Sequence, residues 1–137
     1  MKRLIIFLLL LALVGCGEEN EKEGIAPYIA GLGYWPDQLV ANRGTKEING
    51  WFWFSDPEAD FEKYRISSLV CGHIPFQQDF PVFFLGTLAG RVDFTWMIDS
   101  NCPPGNYTLS VTALDSNGNE SNPLIASFRF KSSWWEW

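Results

Sequence analysis

Residues 105–123 read Gly-Asn-Tyr-Thr-Leu-Ser-Val-Thr-Ala-Leu-Asp-Ser-Asn-Gly-Asn-Glu-Ser-Asn-Pro. Tyr107, Leu109, Val111 and Ala113 alternate with Thr108, Ser110 and Thr112, the period of two that a half-buried strand requires. From Asp115 to Asn122 turn formers break the pattern, and Asn117-Gly118 is a hairpin signal. Beyond the turn, Leu124, Ala126, Phe128 and Phe130 alternate with Ile125, Ser127, Arg129 and Lys131. Two alternating runs joined by a turn point to a β-protein built from antiparallel pairs.

The same alternation recurs upstream. Val92, Phe94, Trp96 and Ile98 alternate with Arg91, Asp93, Thr95 and Met97, so Trp96 falls on the core side. In 46–54, Ile48, Gly50, Phe52 and Phe54 share one face, and Asn49, Trp51 and Trp53 the other. Asp56-Pro57 ends that strand, because proline cannot donate to a ladder. Residues 61–70 form another, with Tyr64, Ile66, Ser68 and Val70 on one side. Gly72, Pro75 and Pro81 make 71–81 read mostly as loop, and 82–85 as a short strand. Pro27, Gly31, Gly33 and Pro36 divide the start into one or two short edge strands, around 28–34 and 38–42. After position 16 no stretch carries a helical period. About seven short strands with regularly spaced turns predict a single two-sheet antiparallel sandwich.

The stretch 105–123 also resembles the last hairpin of bacterial immunoglobulin-like and fibronectin-type-III-like domains, with a Pro-Gly-x-Tyr entry and an Asp-x-x-Gly-Asn turn. Residues 48–66, INGWFWFSDPEADFEKYRI, resemble their early strand pair across an Asp-rich turn. The resemblance covers 25–131 and implies a fold more than a function. It makes strand 61–70 the neighbour of strand 106–114, and it gives Tyr107 the tyrosine-corner role of fixing the turn before its strand.

The N-terminus carries an address. Lys2 and Arg3 precede an uninterrupted apolar run from Leu4 to Val14. Eleven residues are too few to span a bilayer, which takes about 20. Basic start, short apolar core and small residues describe an export signal. Leu13-Val14-Gly15-Cys16 resembles the lipobox of bacterial lipoproteins, which implies removal of 1–15 and a lipid on Cys16; an ordinary signal peptide that contains a cysteine is the alternative. Gly17 is not the aspartate that commonly retains such proteins in the inner membrane, so the resemblance places this one at the outer membrane. Residues 16–24, CGEENEKEG, form a polar tether, and 132–137 a tryptophan-rich tail.

Charge and cysteines bound the chemistry. The 137 residues hold 10 basic and 16 acidic side chains, a formal charge of −6; without Lys2 and Arg3 the charge is −8. That balance excludes nucleic acid as a partner and leaves membrane attachment to acyl chains. In an exported chain Cys71 and Cys102 read as a disulfide, with two free buried thiols as the alternative. The fold implied by the resemblance puts both at one end of the sandwich. Closing a loop of about 32 residues is worth roughly 3–4 kcal/mol. His73 has no partner set for zinc or for nucleophilic catalysis, and no phosphate-cradling glycine loop occurs, so an enzyme is not expected.

Two constellations remain. Asp56, Glu58 and Asp60 in one loop and Asp115, Asn117 and Asn119 in another meet at one pole of an immunoglobulin-like layout. They are weak candidates for Ca²⁺ without the EF-hand pattern, and equally good turn formers. Trp51, Trp53, Trp134, Trp135 and Trp137 are candidates for stacking on sugar rings, as a resemblance to sandwich-type carbohydrate-binding modules implies. The other reading folds the tail or Tyr34-Trp35 over Trp51 and Trp53. The expected function is a non-catalytic, membrane-tethered interaction or structural module of the cell envelope whose partner is an unknown envelope protein. The alternative is a surface glycan binder.

Overall fold

The computed structural model describes residues 23–41, 44–70, 74–83, 86–99 and 101–132. Residues 1–15, Cys16, Cys71, His73, Trp134, Trp135 and Trp137 lie outside this set. Eight strands follow in order: β1 Tyr28–Trp35, β2 Gln38–Val40, β3 Thr45–Ser55, β4 Phe61–Val70, β5 Ile74–Pro81, β6 Ala89–Asp99, β7 Gly105–Asp115 and β8 Leu124–Lys131. They form a three-stranded sheet ordered β1-β3-β6 and a five-stranded sheet ordered β2-β8-β7-β4-β5. This is an all-β, immunoglobulin-like sandwich, and the described residues contain no helix.

Period two explains the layers. Ile48, Phe52, Phe54, Val92, Phe94, Trp96 and Ile98 face inward from the smaller sheet, and Tyr64, Ile66, Leu109, Val111, Ala126, Phe128 and Phe130 from the larger. Aromatic rings lock the two layers together. Phe52 meets Tyr64 edge-on at 5.9 Å, and Trp96 meets Phe128 in the same way at 5.9 Å. Each such pair adds about 0.5–1.5 kcal/mol beyond its buried area. As expected, β4 and β7 are antiparallel neighbours, with Ile66 opposite Val111. The Tyr107 hydroxyl donates to the Pro103 carbonyl at 2.7 Å, which is the corner contact its position implied.

Three expectations need correction. Residues 74–81 are a strand and not mostly loop. β5 lies at the edge of its sheet, where Pro75 and Pro81 need not donate to a further strand. Val82 and Phe83 belong to no strand; the Val82 amide instead bonds the Glu62 carbonyl at 2.9 Å. The sandwich is also not wholly antiparallel, since β2 runs parallel to β8. The chain leaves β1 in one sheet and enters β2 in the other, beside the edge of β8 that β7 does not occupy. Side chains stitch this crossing. Asn122 bonds both backbone groups of Ile29, and the Tyr34 hydroxyl donates to Ser127 O at 2.6 Å.

Candidate functional site: an acidic pole and a tryptophan row

The β3–β4 and β7–β8 loops meet at one pole, as the sequence implied. Asp56 is fully buried. Its Oδ2 accepts the Asp60 and Phe61 amides at 2.7 Å each, and its Oδ1 accepts the Glu58 amide at 3.2 Å. Asp115, also fully buried, repeats the device. Its Oδ1 accepts the Asn117 and Asn119 amides at 2.9 and 2.7 Å, and its Oδ2 accepts Asn119 Nδ2 at 2.6 Å. Both aspartates thus organise tight turns by replacing water around backbone donors. Ser116 ties the loops together, with its amide on Asp60 O at 3.0 Å and its hydroxyl on Asp60 Oδ2 at 2.7 Å.

Glu58, Asp60 and Asp115 each bring a carboxylate oxygen within 4.8 Å of the others. Asp56, Asn117 and Asn119 do not belong to that trio. Asp60 Oδ1 is buried and has no hydrogen-bond partner among the described residues. The chain also enters at this pole. Asn119 Nδ2 donates to Glu23 O at 2.9 Å, and the Ile25 amide donates to Glu58 Oε2 at 2.6 Å.

The outer face of the smaller sheet carries the second constellation. Ladder register stacks Tyr28-Ser55-Ala89, Ala30-Trp53-Arg91, Gly33-Trp51-Asp93 and Trp35-Asn49-Thr95 in successive rows. Four aromatic side chains therefore line one face, with exposures of 59% for Tyr28, 55% for Trp53, 40% for Trp51 and 71% for Trp35. The two central indoles cover glycines of β1. A Cβ on Gly33 would clash with the Trp51 ring, and one on Gly31 would stand 3.1 Å from Trp53 Cδ1. Glycine here lets an indole lie against the backbone, where any side chain would lift it away. Polar groups flank the row: Thr95 Oγ1 donates to Asn49 Oδ1 at 2.6 Å, and Arg91 pairs with Asp93 at 3.0 Å.

Of the two readings of these rings, cover by Tyr34-Trp35 does not hold. Tyr34 is bonded to β8, and Trp35 is itself the most exposed of the four. The tail tryptophans lie outside the described residues. Sequence reasoning missed Tyr28 and Trp35 as members of the row. The signal was available in Gly31 and Gly33, whose spacing of two on β1 matches that of Trp51 and Trp53 on β3.

Elsewhere the surface carries ordinary ion pairing. Arg65 holds Asp79 through a fork, Nε to Oδ1 at 2.7 Å and Nη2 to Oδ2 at 3.1 Å, and reaches Glu120 at 2.6 Å. The Arg65 hydrogen bonds, with Lys63 adding to them, lower the Asp79 pKa below the ordinary carboxylate value. Burial raises the Tyr64 hydroxyl pKa. Cys102 is buried. An open recess of about 420 Å³ on the larger sheet is lined by Ser67, Leu69, Gln77, Thr108, Ser110 and Ile125 among others, none of them titratable.

Neither a protein-family model nor a curated protein matches the chain. Solved structures match its fold. The chain is similar to Pseudomonas fluorescens alkylpurine DNA glycosylase AlkC bound to DNA containing an abasic site analogue, with a TM-score of 0.54 and 14% identity over 79% of this chain, and it spans 31% of that protein. It is similar to a Niemann-Pick type C2 protein from the Japanese carpenter ant, with a TM-score of 0.50 and 8% identity, covering 80% of this chain and 96% of the other. It is also similar to the PKD domain of an M14-like peptidase from Thermoplasmatales archaeon SCGC AB-540-F20, with a TM-score of 0.44 and 20% identity, covering 77% of this chain and 92% of that one. At these identities the likeness is one of fold alone.

Proposed function

We propose that this chain is a lipid-anchored, non-catalytic interaction module of the bacterial outer membrane, held by acyl chains on Cys16. What supports the anchor is Leu13-Val14-Gly15-Cys16 behind a basic start and a short apolar run; the pinning of Glu23 and Ile25 to the acidic pole then orients the domain. Six residues lie between Cys16 and Glu23, so seven Cα-to-Cα steps join them. At ~3.5 Å per residue they reach about 25 Å at most, so the acidic pole is the membrane-proximal end. The opposite pole, with Cys102 and the start of β7, then faces outward. In the same reading Cys71 is the disulfide partner of Cys102, and the bridge staples that outer pole next to the β4–β7 pair. A catalytic role has little support: the recess on the larger sheet lacks titratable groups, and the pole carboxylates already accept backbone donors.

Metabolic labelling with a fatty acid tests the anchor. Label is expected on the wild-type protein and absent from Cys16→Ser, since only the thiol accepts diacylglycerol. Equal label on both overturns the reading.

A second reading, glycan binding, is favoured by one observation, the solvent-facing row of Tyr28, Trp53, Trp51 and Trp35. Successive rows on a strand stand about 6.7 Å apart, so the four rings extend along roughly 20 Å of surface. Affinity electrophoresis through soluble polysaccharides tests it. Retardation of the wild type, lost in Trp35→Ala, supports this reading, because Trp35 is the ring whose removal costs the fold least. Migration unaffected by any polysaccharide overturns it.

A further inference from the structure

The strands that end the two sheets are not alike. β5 carries Pro75 and Pro81, β2 has only three residues, and β1 is interrupted by a bulge between Ala30 and Gly33. Each of these devices spoils an edge for further pairing. β6 has none of them. It is 11 residues long, contains no proline, and keeps unbroken register with β3 from Ala89 opposite Ser55 to Asp99 opposite Thr45.

Register also identifies the free backbone groups. The Asp56 amide donates to Leu88 O at 2.7 Å. Alternation along an antiparallel ladder then makes Phe54–Gly90, Phe52–Val92, Gly50–Phe94 and Ile48–Trp96 the hydrogen-bonded pairs. The N–H and C=O groups of Arg91, Asp93, Thr95 and Met97 accordingly point away from β3, toward the side where the sheet order has no further strand among the described residues. Phe83, 94% exposed, stands at this same edge in a recess shared with Arg91 and Asp93. An open ladder and a bare aromatic ring side by side mark a place where another strand is added.

We propose that the occupant is β6 of a second copy of this chain, paired antiparallel about a two-fold axis at Val92. In that register Arg91 lies opposite the second copy's Asp93, and Asp93 opposite its Arg91. The reciprocity is what an isologous contact requires. Within one copy, among the described residues, these two charges pair with each other at 3.0 Å and are largely exposed, so exchanging partners across the axis sacrifices little. On the inner side Val92 meets its own counterpart and Phe94 meets Gly90, so apolar groups stay on the core side. The result is one continuous six-stranded sheet whose outer face carries both tryptophan rows. This names the partner of the interaction module proposed above and rests on that reading.

Sedimentation equilibrium of the full-length protein in density-matched detergent, and of the unlipidated Cys16→Ser chain, tests the pairing separately from the anchor. Both are expected to dimerise. Asp93→Pro removes an N–H that points away from β3, so it leaves the intramolecular ladder and the melting temperature nearly intact while weakening the dimer about tenfold or more. Asp93→Arg sets like charges across the axis and also weakens it, and adding Arg91→Asp restores it. A wild type that stays monomeric at every concentration leaves the edge to a different protein's strand or to none, and overturns the proposal. A dimer indifferent to both Asp93→Pro and Asp93→Arg overturns it as well.

Discussion

The acidic pole and the tryptophan row are both concentrations of one residue type, yet the protein uses them in opposite ways. At the pole the side chains are consumed internally, since every carboxylate oxygen of Asp56 and Asp115 accepts a hydrogen bond from its own loop. On the row the indoles spend one face on the glycines of β1 and leave the other to solvent. Density of a residue type therefore says little about function. What matters is how many of its groups remain uncommitted after folding.

The largest effect that sharpens this contrast is expected at the pole. Asp56→Ala leaves the Glu58, Asp60 and Phe61 amides without their acceptor, and an unsatisfied buried donor costs about 1–3 kcal/mol. Loops that relax toward water recover part of that, so a loss of about 3–4 kcal/mol is expected. It is read as a fall in urea midpoint at constant slope. A loss under about 1 kcal/mol would mean that the turn holds without its carboxylate, and it would return Asp56 to the uncommitted groups.

On the row the expected losses are smaller and depend on which side of the contact is changed. Gly33→Ala forces the Trp51 ring off β1, whereas Trp51→Ala removes it; either costs about 1–2 kcal/mol of packed apolar area. Trp35→Ala, at 71% exposure, costs less than about 0.5 kcal/mol. Thermal melts of the three variants check the order. If Trp35→Ala destabilises as much as Trp51→Ala, the row is committed to the fold and the contrast with the pole collapses.

Much of this architecture was legible in the chain. β3, β6, β7 and β8 each bury one face and expose the other, so alternation alone located them, and the meeting of the acidic loops followed from the layout. β5 was not legible, because its prolines mark a loop when read locally and an edge strand only once the neighbours are known. Val82 and Phe83 carry strand-prone side chains without a ladder to join. The parallel pairing of β2 with β8 joins residues about 90 positions apart, which no local pattern encodes. At the site, the aromatic row needed the register of β1 against β3, which the bulge between Ala30 and Gly33 shifts.

The Arg65–Asp79 fork gives a weaker, pH-dependent test on a surface that belongs to neither region. The folded state holds the Asp79 pKa below its unfolded value, chiefly through the Arg65 hydrogen bonds. Its contribution is therefore fully present above the unfolded value near 4 and is lost as pH falls through the lower folded value. Both groups are partly solvated, so the contribution is under about 1 kcal/mol. Wild type and Asp79→Asn are expected to differ slightly at pH 7 and to converge as pH falls through the lowered folded pKa of Asp79 in chemical denaturation. A difference that grows as pH falls would have the wrong sign for this pair.

The smallest expected effect bears on the pole again. A Ca²⁺ ion takes 6–8 oxygen ligands. Glu58, Asp60 and Asp115 offer three carboxylates within 4.8 Å, but backbone and side-chain donors already occupy both Asp115 oxygens, Glu58 Oε2 and Asp60 Oδ2. Binding would have to break the hydrogen bonds that shape both turns. Asp60 Oδ1, buried and unpartnered among the described residues, would gain most from a cation. Melting temperatures in millimolar Ca²⁺ and in chelator are accordingly expected to agree within about 1 °C, because stabilisation by mass action requires a site better than the free ion concentration. A rise of several degrees that Asp60→Asn abolishes would show that a cation can use Asp60 Oδ1 without undoing the turns around it. The two regions would then both be binding surfaces, one for a cation and one for an apolar or sugar face.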